Sequence, residues 1–198
     1  MSDSNFSIGE AVRFGWSTAT SNLGLFIAAI LIVVAISFFP LLFDSPVAAV
    51  VSWVLGMAVT LGIMRMSLKF VDGERGELID LFETIPFIAS YLIASIVVGI
   101  VVTVGFILLV IPGIYWGARL QFYCWAIIDR RTGPFVSMQE SWEITRGAVL
   151  KLIGFWFALA GINILGFLAL GIGLLLTAPL SLVATAHVYR QLGGSDQT

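Results

Sequence analysis

Polar positions in this chain fall in short clusters between long apolar runs, and the runs have the length of membrane-crossing helices. Residues 23–43, 47–70, 87–111 and 151–170 are each apolar for about 20 positions or more, the length needed to cross a hydrocarbon core about 30 Å thick. Two further runs, 112–128 and 172–192, are shorter or more polar but follow the same rhythm. The pattern predicts six transmembrane helices that fill nearly the whole chain. Backbone groups in lipid must be satisfied within the segment, so these runs are helices and not open strands.

Between the runs the period changes. Ile8, Val12, Trp16 and Ala19 recur at helical spacing opposite Glu10, Arg13, Ser17 and Thr20. Leu78, Leu81, Phe82 and Ile85 oppose Glu77, Asp80 and Thr84, and Phe135, Met138, Trp142 and Val149 oppose Gln139, Glu140, Glu143 and Arg146. Each pattern is that of an amphipathic helix. Ser7 and Glu10 fit a capping box that opens the first one. Ser137 and Glu140 match the same box, although Pro134 also suits a first helical turn.

These segments define a threefold repeat in which an amphipathic segment leads into a helical hairpin. The units are 6–71, 72–128 and 129–192, with a short tail at 193–198. The expected turns lie at Pro40 or Pro46, at Pro112 and at Pro179. The fold class read from the sequence is therefore an all-α integral membrane protein in one transmembrane domain. Helices of this kind lie in the interface with the apolar face in the acyl boundary. They serve either as a lipid-sensing or partner-docking collar or as a ring that anchors the bundle.

Charge adds the orientation. Arg13, Arg65, Lys69, Arg75, Arg130, Arg131, Arg146, Lys151 and Arg190 all fall at one kind of connection or near it, whereas 40–46, 111–113 and 171–177 carry no Lys or Arg. Basic loops stay cytoplasmic, which places both termini and the loops 71–86 and 129–150 inside. Asp44 is then the one acidic residue on the far side. The first ten residues lack the basic start and small-residue cleavage site of a secretory signal, so the first helix is expected to be retained.

Composition narrows the chemistry. Of 198 residues, 59% are hydrophobic and 11% charged, with a mean hydropathy of +1.04. Soluble domains carry about a quarter charged residues. The net charge of -2 argues against a nucleic-acid partner. The single Cys124 excludes an intrachain disulfide and reads as a small buried hydrophobe. No HExxH, GxSxG, phosphate-binding glycine loop or intramembrane aspartate pair is present, so the expectation is a non-enzymatic protein without a cofactor or metal.

Arg119 is the basic residue that breaks the segregation. It lies seven residues after Pro112 and ten before Asp129, at a depth where a charge costs at least about 2.5–3.5 kcal/mol. It should face the bundle interior, a watery cavity or an anionic group. Gln121, Tyr123, Asn163, His187 and Tyr189 are candidates to line the same interior. One outcome is a polar pocket for an anionic head group or solute. The other is an Arg satisfied by helix-end carbonyls or by Glu83 or Glu143. His187, alone without a nucleophile or metal partner, reads as structural, and Asn163 as an interhelical hydrogen bond. Gly99, Gly105, Gly161, Gly166, Gly171 and Gly173 suggest close helix contacts.

Residues 111–119 (IPGIYWGAR), followed by Asp129 and by SWEITRG at 141–147, resemble a known pattern. It is similar to that of six-span bacterial and archaeal membrane proteins related to the membrane domain fused to some glycerophosphoryl diester phosphodiesterases, with YciC-type inner-membrane proteins as distant relatives. The resemblance assigns Pro112, Gly113, Arg119, Asp129, Ser141, Trp142, Thr145 and Gly147 to the family motif. Residues 178–190 resemble its last helix. It implies a bacterial or archaeal cytoplasmic membrane and a setting in lipid or envelope biology. The leading expectation is a protein acting through membrane lipids or other membrane proteins, as an accessory subunit or envelope factor. The alternative is a small transporter or lipid-handling permease with a polar site around Arg119.

Overall fold

The computed structural model describes residues 6–43, 45–169 and 171–193; Asp44 and residues 194–198 of the expected tail lie outside the described residues. Among the described residues there is no strand. The helices are α1 (Ile8–Ser21), α2 (Leu23–Phe43), α3 (Pro46–Val71), α4 (Ile88–Leu108), α5 (Val110–Leu120), α6 (Tyr123–Arg130), α7 (Pro134–Ile144), α8 (Val149–Leu168) and α9 (Leu174–Gly193). Two short 3-10 turns, Leu78–Leu81 and Ile85–Phe87, lead into α4.

Four stretches are long and apolar enough to cross a membrane: Leu23–Phe43, Pro46–Val71, the run Leu78–Leu108 and Val149–Leu168. The expected span at 172–192 becomes α9, which is 20 residues long but carries Ser181, Thr185, His187 and Arg190. Those groups are tolerated because α9 is the central helix. Leu180, Val183, Ala184, Ala186, Val188, Tyr189 and Leu192 are all buried, against α1, α3 and α8. The expected span at 112–128 is not one helix. It divides into α5 and α6, of 11 and 8 residues, with Gln121 and Phe122 between them.

Of the expected turn prolines, two stand just past a turn and two lie within helices. Pro46 and Pro112 fall in the first turns of α3 and α5, where a missing N–H costs nothing. Pro40 and Pro179 lie inside α2 and α9. The turn before α5 is made by Leu109, which is extended at φ -166° and ψ 148°.

The amphipathic segments keep their positions but present other faces to the bundle. In α1 the packed stripe is Ala11, Gly15 and Ala19, laid along α9, while Trp16 is 51% exposed. A Cβ on Gly15 would stand 2.6 Å from the Leu180 carbonyl. Ser7 caps this helix, accepting from the Glu10 N–H at 3.4 Å. In the second segment Asp80, Leu81 and Thr84 are buried, whereas Leu78, Phe82 and Ile85 are exposed. Asp80 pairs with Lys69 and accepts from the Glu77 N–H. Thr84 donates to the Ala58 carbonyl at 3.0 Å. That segment is therefore a pair of tight turns pinned to α3, not a helix. α7 begins at Pro134, and its buried side is Ser137, Ser141 and Ile144, while Phe135 and Val136 face outward.

Close approaches occur where three of the six noted glycines face a partner glycine. A Cβ on Gly105 would stand 2.9 Å from the Gly113 Cα, and one on Gly173 2.5 Å from the Gly166 carbonyl oxygen. Gly99, Gly161 and Gly171 meet nothing within 4 Å.

Candidate functional site

The division between α5 and α6 builds the site. A helix end leaves carbonyls without intrahelical donors, and a helix start leaves N–H groups without acceptors. α7 supplies both. Ser141 Oγ donates to the Arg119 carbonyl at 2.9 Å and accepts from the Phe122 N–H at 3.1 Å. Thr145 Oγ1 lies 3.1 Å from the same Arg119 carbonyl and 2.7 Å from the Ser141 carbonyl, so its single proton is shared. Ser141 and Thr145 are four residues apart on one face of α7. The broken backbone is thus held by two fully buried hydroxyls.

This clasp fixes Arg119 at the last turn of α5. Its side chain is 5% exposed. The guanidinium carbon lies 4.2 Å from the centre of the Trp142 ring and 5.9 Å from that of Tyr115, a cation–π arrangement worth about 0.5–2 kcal/mol. Among the described residues Nε is buried without a hydrogen-bond partner. Among the described residues no carboxylate pairs with Arg119. Glu143 instead accepts from Gln139 Nε2 at 3.1 Å, and Glu83 is exposed.

Beside Arg119 opens a chamber of about 610 Å³ lined by Tyr115, Arg119, Trp142, Arg146, Gly147, Val149 and Leu150. Its wall carries two arginines and no carboxylate. Gly147 has φ +83°, a conformation cheap only for glycine, and it turns the chain from α7 into α8. That turn brings Arg146 and the first turn of α8 onto the same wall.

The other expected interior residues do not join Arg119; all but His187 find hydrogen-bond partners elsewhere. Gln121 accepts from Trp156 Nε1 at 2.6 Å and donates to the Ala118 carbonyl. Tyr123 shares a hydrogen bond of 2.9 Å with Ser95. Asn163 joins α8 to α9 through Ser181 at 2.7 Å. His187 stacks on Phe14 with ring centres 4.6 Å apart, and neither ring nitrogen has a hydrogen-bond partner among the described residues. Tyr189 donates to Asp129 Oδ2 at 3.2 Å. Asp129 also receives Arg190 Nη1 at 2.6 Å, and the rest of that guanidinium grips Asp72.

The motif residues divide accordingly. Arg119, Ser141, Trp142, Thr145 and Gly147 assemble at the chamber, and Pro112 and Gly113 shape the start of α5. Asp129 belongs to the separate ion-pair junction. Two chamber residues escape the sequence reading, Tyr115 and Arg146. Both stand four positions from a recognised one, Tyr115 before Arg119 and Arg146 after Trp142. That spacing is the signal that would find them. The helical pattern of 135–149 by itself puts Arg146 on the polar face opposite Trp142.

The helical bundle and its long apolar helices define the class, an all-helical multi-pass membrane protein. No family model and no solved structure matches the chain significantly. Among curated proteins it is similar to uncharacterized protein Rv2560 of Mycobacterium tuberculosis, 26% identical over 135 residues covering 68% of this chain. Uncharacterized protein Mb2590 of Mycobacterium bovis is 25% identical over the same length. The chain spans 41% of the length of these relatives.

Proposed function

We propose that this chain is a non-enzymatic multi-pass protein of a bacterial or archaeal cytoplasmic membrane that acts through lipid or protein partners. In this reading it crosses the membrane six times, as three repeats with both termini inside. It is kin to the six-span family of the phosphodiesterase-linked membrane domain. α5 and α6 together make the fourth span, and α9, shielded by its neighbours, the sixth. The meeting of Asp72 and Asp129, which begin the second and third units, with Arg190 near the end of the third supports the repeat.

One observation carries the partner reading. The segments between the hairpins bury small and polar residues together with Leu81 and Ile144, and turn several of their other large apolar residues outward. Leu78 at 39%, Phe82 at 44%, Ile85 at 48% and Phe135 at 67% exposure form apolar faces beside charged residues. Such faces need lipid or another protein against them. The test is purification from native membranes, with the lipid and protein content measured, beside a variant carrying Phe82→Ser and Phe135→Ser. Retained lipid or partner, reduced in the variant, is expected. A protein that emerges monodisperse, lipid-free and partner-free would remove this reading. Single cysteines at Gly133 and Ile172, in a Cys124→Ala background, are expected to label from opposite sides of the membrane.

A second reading, a small lipid-handling permease, draws on the broken α5–α6 helix beside Arg119. Discontinuous helices mark substrate sites in transporters. Unchanged flux of anionic solutes or lipids in reconstituted Arg119→Leu protein would count against it.

A further inference from the structure

From the chamber beside Arg119 we infer a binding site for the phosphate-bearing head group of an anionic membrane lipid. The inference rests on the reading of this chain as a membrane protein with lipid partners, and it assigns that partner a place and a charge.

Arg119 is 5% exposed, and among the described residues its Nε has no hydrogen-bond partner and it has no ion pair. A buried charge without a counterion is a costly arrangement. Arg146 lies on the same wall, also outside any ion pair among the described residues, and adds a second positive charge. Two neighbouring guanidinium groups without a carboxylate repel one another, and an anion between them removes both penalties. The planar fork of Arg matches phosphate oxygens in pairs.

The rest of the wall suits the same ligand. α8 starts at Val149, so the N–H groups of Val149 and Leu150 have no intrahelical acceptor and stand at the positive end of a 20-residue helix. The position of Gly147 keeps this corner free of a side chain. Trp142 and Tyr115 hold the Arg119 guanidinium from the side, leaving its remaining donors for the ligand.

Lipid is favoured over a soluble anion by the surroundings. Leu150, 86% exposed, and the half-buried Val149 continue the chamber wall into an apolar outer surface. Tyr115 is 41% exposed and Trp142 37%, as interfacial aromatics are in membranes. An acyl chain leaving the chamber therefore stays in apolar contact. A zwitterionic head group is disfavoured because its ammonium would enter a chamber without a carboxylate.

The experiment measures thermal stability of the purified protein in neutral detergent with added dioleoyl phosphatidylglycerol, dioleoyl phosphatidylcholine or inorganic phosphate. Arg146→Gln is the main variant, since Arg146 is exposed and its loss leaves the clasp on Arg119 intact. Phosphatidylglycerol is expected to stabilise the native protein, with an apparent affinity about five- to tenfold weaker in Arg146→Gln. Phosphatidylcholine is expected to do markedly less. Arg119→Gln is expected to lose the effect; if it does not fold, Arg146→Gln alone decides. Equal response to the two lipids, or equal response of the native protein and Arg146→Gln to phosphatidylglycerol, overturns the proposal. Stabilisation by inorganic phosphate as strong as by the lipid makes this a soluble-anion site and overturns the lipid assignment. Loss of the lipid effect with lipid still co-purifying at the apolar collars would leave the broader reading standing.

Discussion

Arg190 and Asp72, 118 residues apart, are joined by two hydrogen bonds, Nε to Oδ1 at 2.8 Å and Nη2 to Oδ2 at 2.6 Å. The third donor, Nη1, reaches Asp129 at 2.6 Å, so one guanidinium ties the C-cap of α3, the end of α6 and the last turns of α9. This is the fork geometry that Lys cannot reproduce.

Arg190→Lys is therefore expected to lose most of the stability that Arg190→Ala loses. The two carboxylates are not equivalent. Asp129, 13% exposed, also accepts from Tyr189, whereas Asp72 is 38% exposed. Asp129→Asn should cost about 1–3 kcal/mol, and Asp72→Asn less than about 1 kcal/mol after solvent screening. Reversible unfolding in mixed micelles ranks the four variants.

The Ser141–Thr145 clasp gives an ordered pair of losses. Ser141→Ala strands the Phe122 N–H and removes one donor to the Arg119 carbonyl, a loss of about 1–3 kcal/mol. Thr145→Val leaves that carbonyl its bond from Ser141 and should cost less. Because both serve one carbonyl, the double variant is expected to lose more than the sum of the singles. A double-mutant cycle measures the excess, and strict additivity would show that the two hydroxyls act separately.

Packing at two glycines separates backbone from side-chain crowding. A Cβ on Gly62 would stand 2.2 Å from the Leu81 Cα, a backbone atom that the Asp80 and Thr84 bonds hold in place. Gly62→Ala should destabilise by about 1–3 kcal/mol or more. Gly161→Ala, with nothing within 4 Å, should be neutral or mildly stabilising. Unfolding of the two variants side by side checks the contrast.

Glu140, on α7 outside the spans, has its carboxyl raised above the ordinary range by burial, with Arg130 at 3.7 Å opposing the shift. A raised folded-state value favours the protonated form. Its stabilising contribution is complete below the ordinary carboxylate range and is lost as pH rises through the raised value. Glu140→Gln should flatten this part of the stability profile, from the ordinary carboxylate range upward. Profiles of the two proteins that stay parallel there would contradict the assignment.

The type of the long apolar elements was legible in the sequence because run length is a local property, whereas the helical period at 78–85 ended as two tight turns. The apolar runs at 23–43 and 47–70 became α2 and α3 nearly residue for residue, since in lipid a helix satisfies its own backbone whatever its neighbours do. The packed faces were not legible. An apolar stripe marks a core in water, but beside lipid it has two destinations. The inward faces of α1, the 78–85 turns and α7 were chosen by close fit and by hydrogen bonding. Ala11, Gly15 and Ala19 lie flat on α9, Asp80 meets Lys69, and Ser141 reaches the Arg119 carbonyl.

The chamber shows the same division. Composition alone marked Arg119 as anomalous, because a charge inside an apolar run is visible without any fold. Its surroundings depended on where α5 stops, and nothing in residues 112–128 announces an end at Gln121. That end is held by hydroxyls about twenty residues further along the chain, so the Arg119 site exists only once α7 has folded back upon it. Local hydrophobic pattern determined the helices; long-range satisfaction of a broken backbone decided which residues meet.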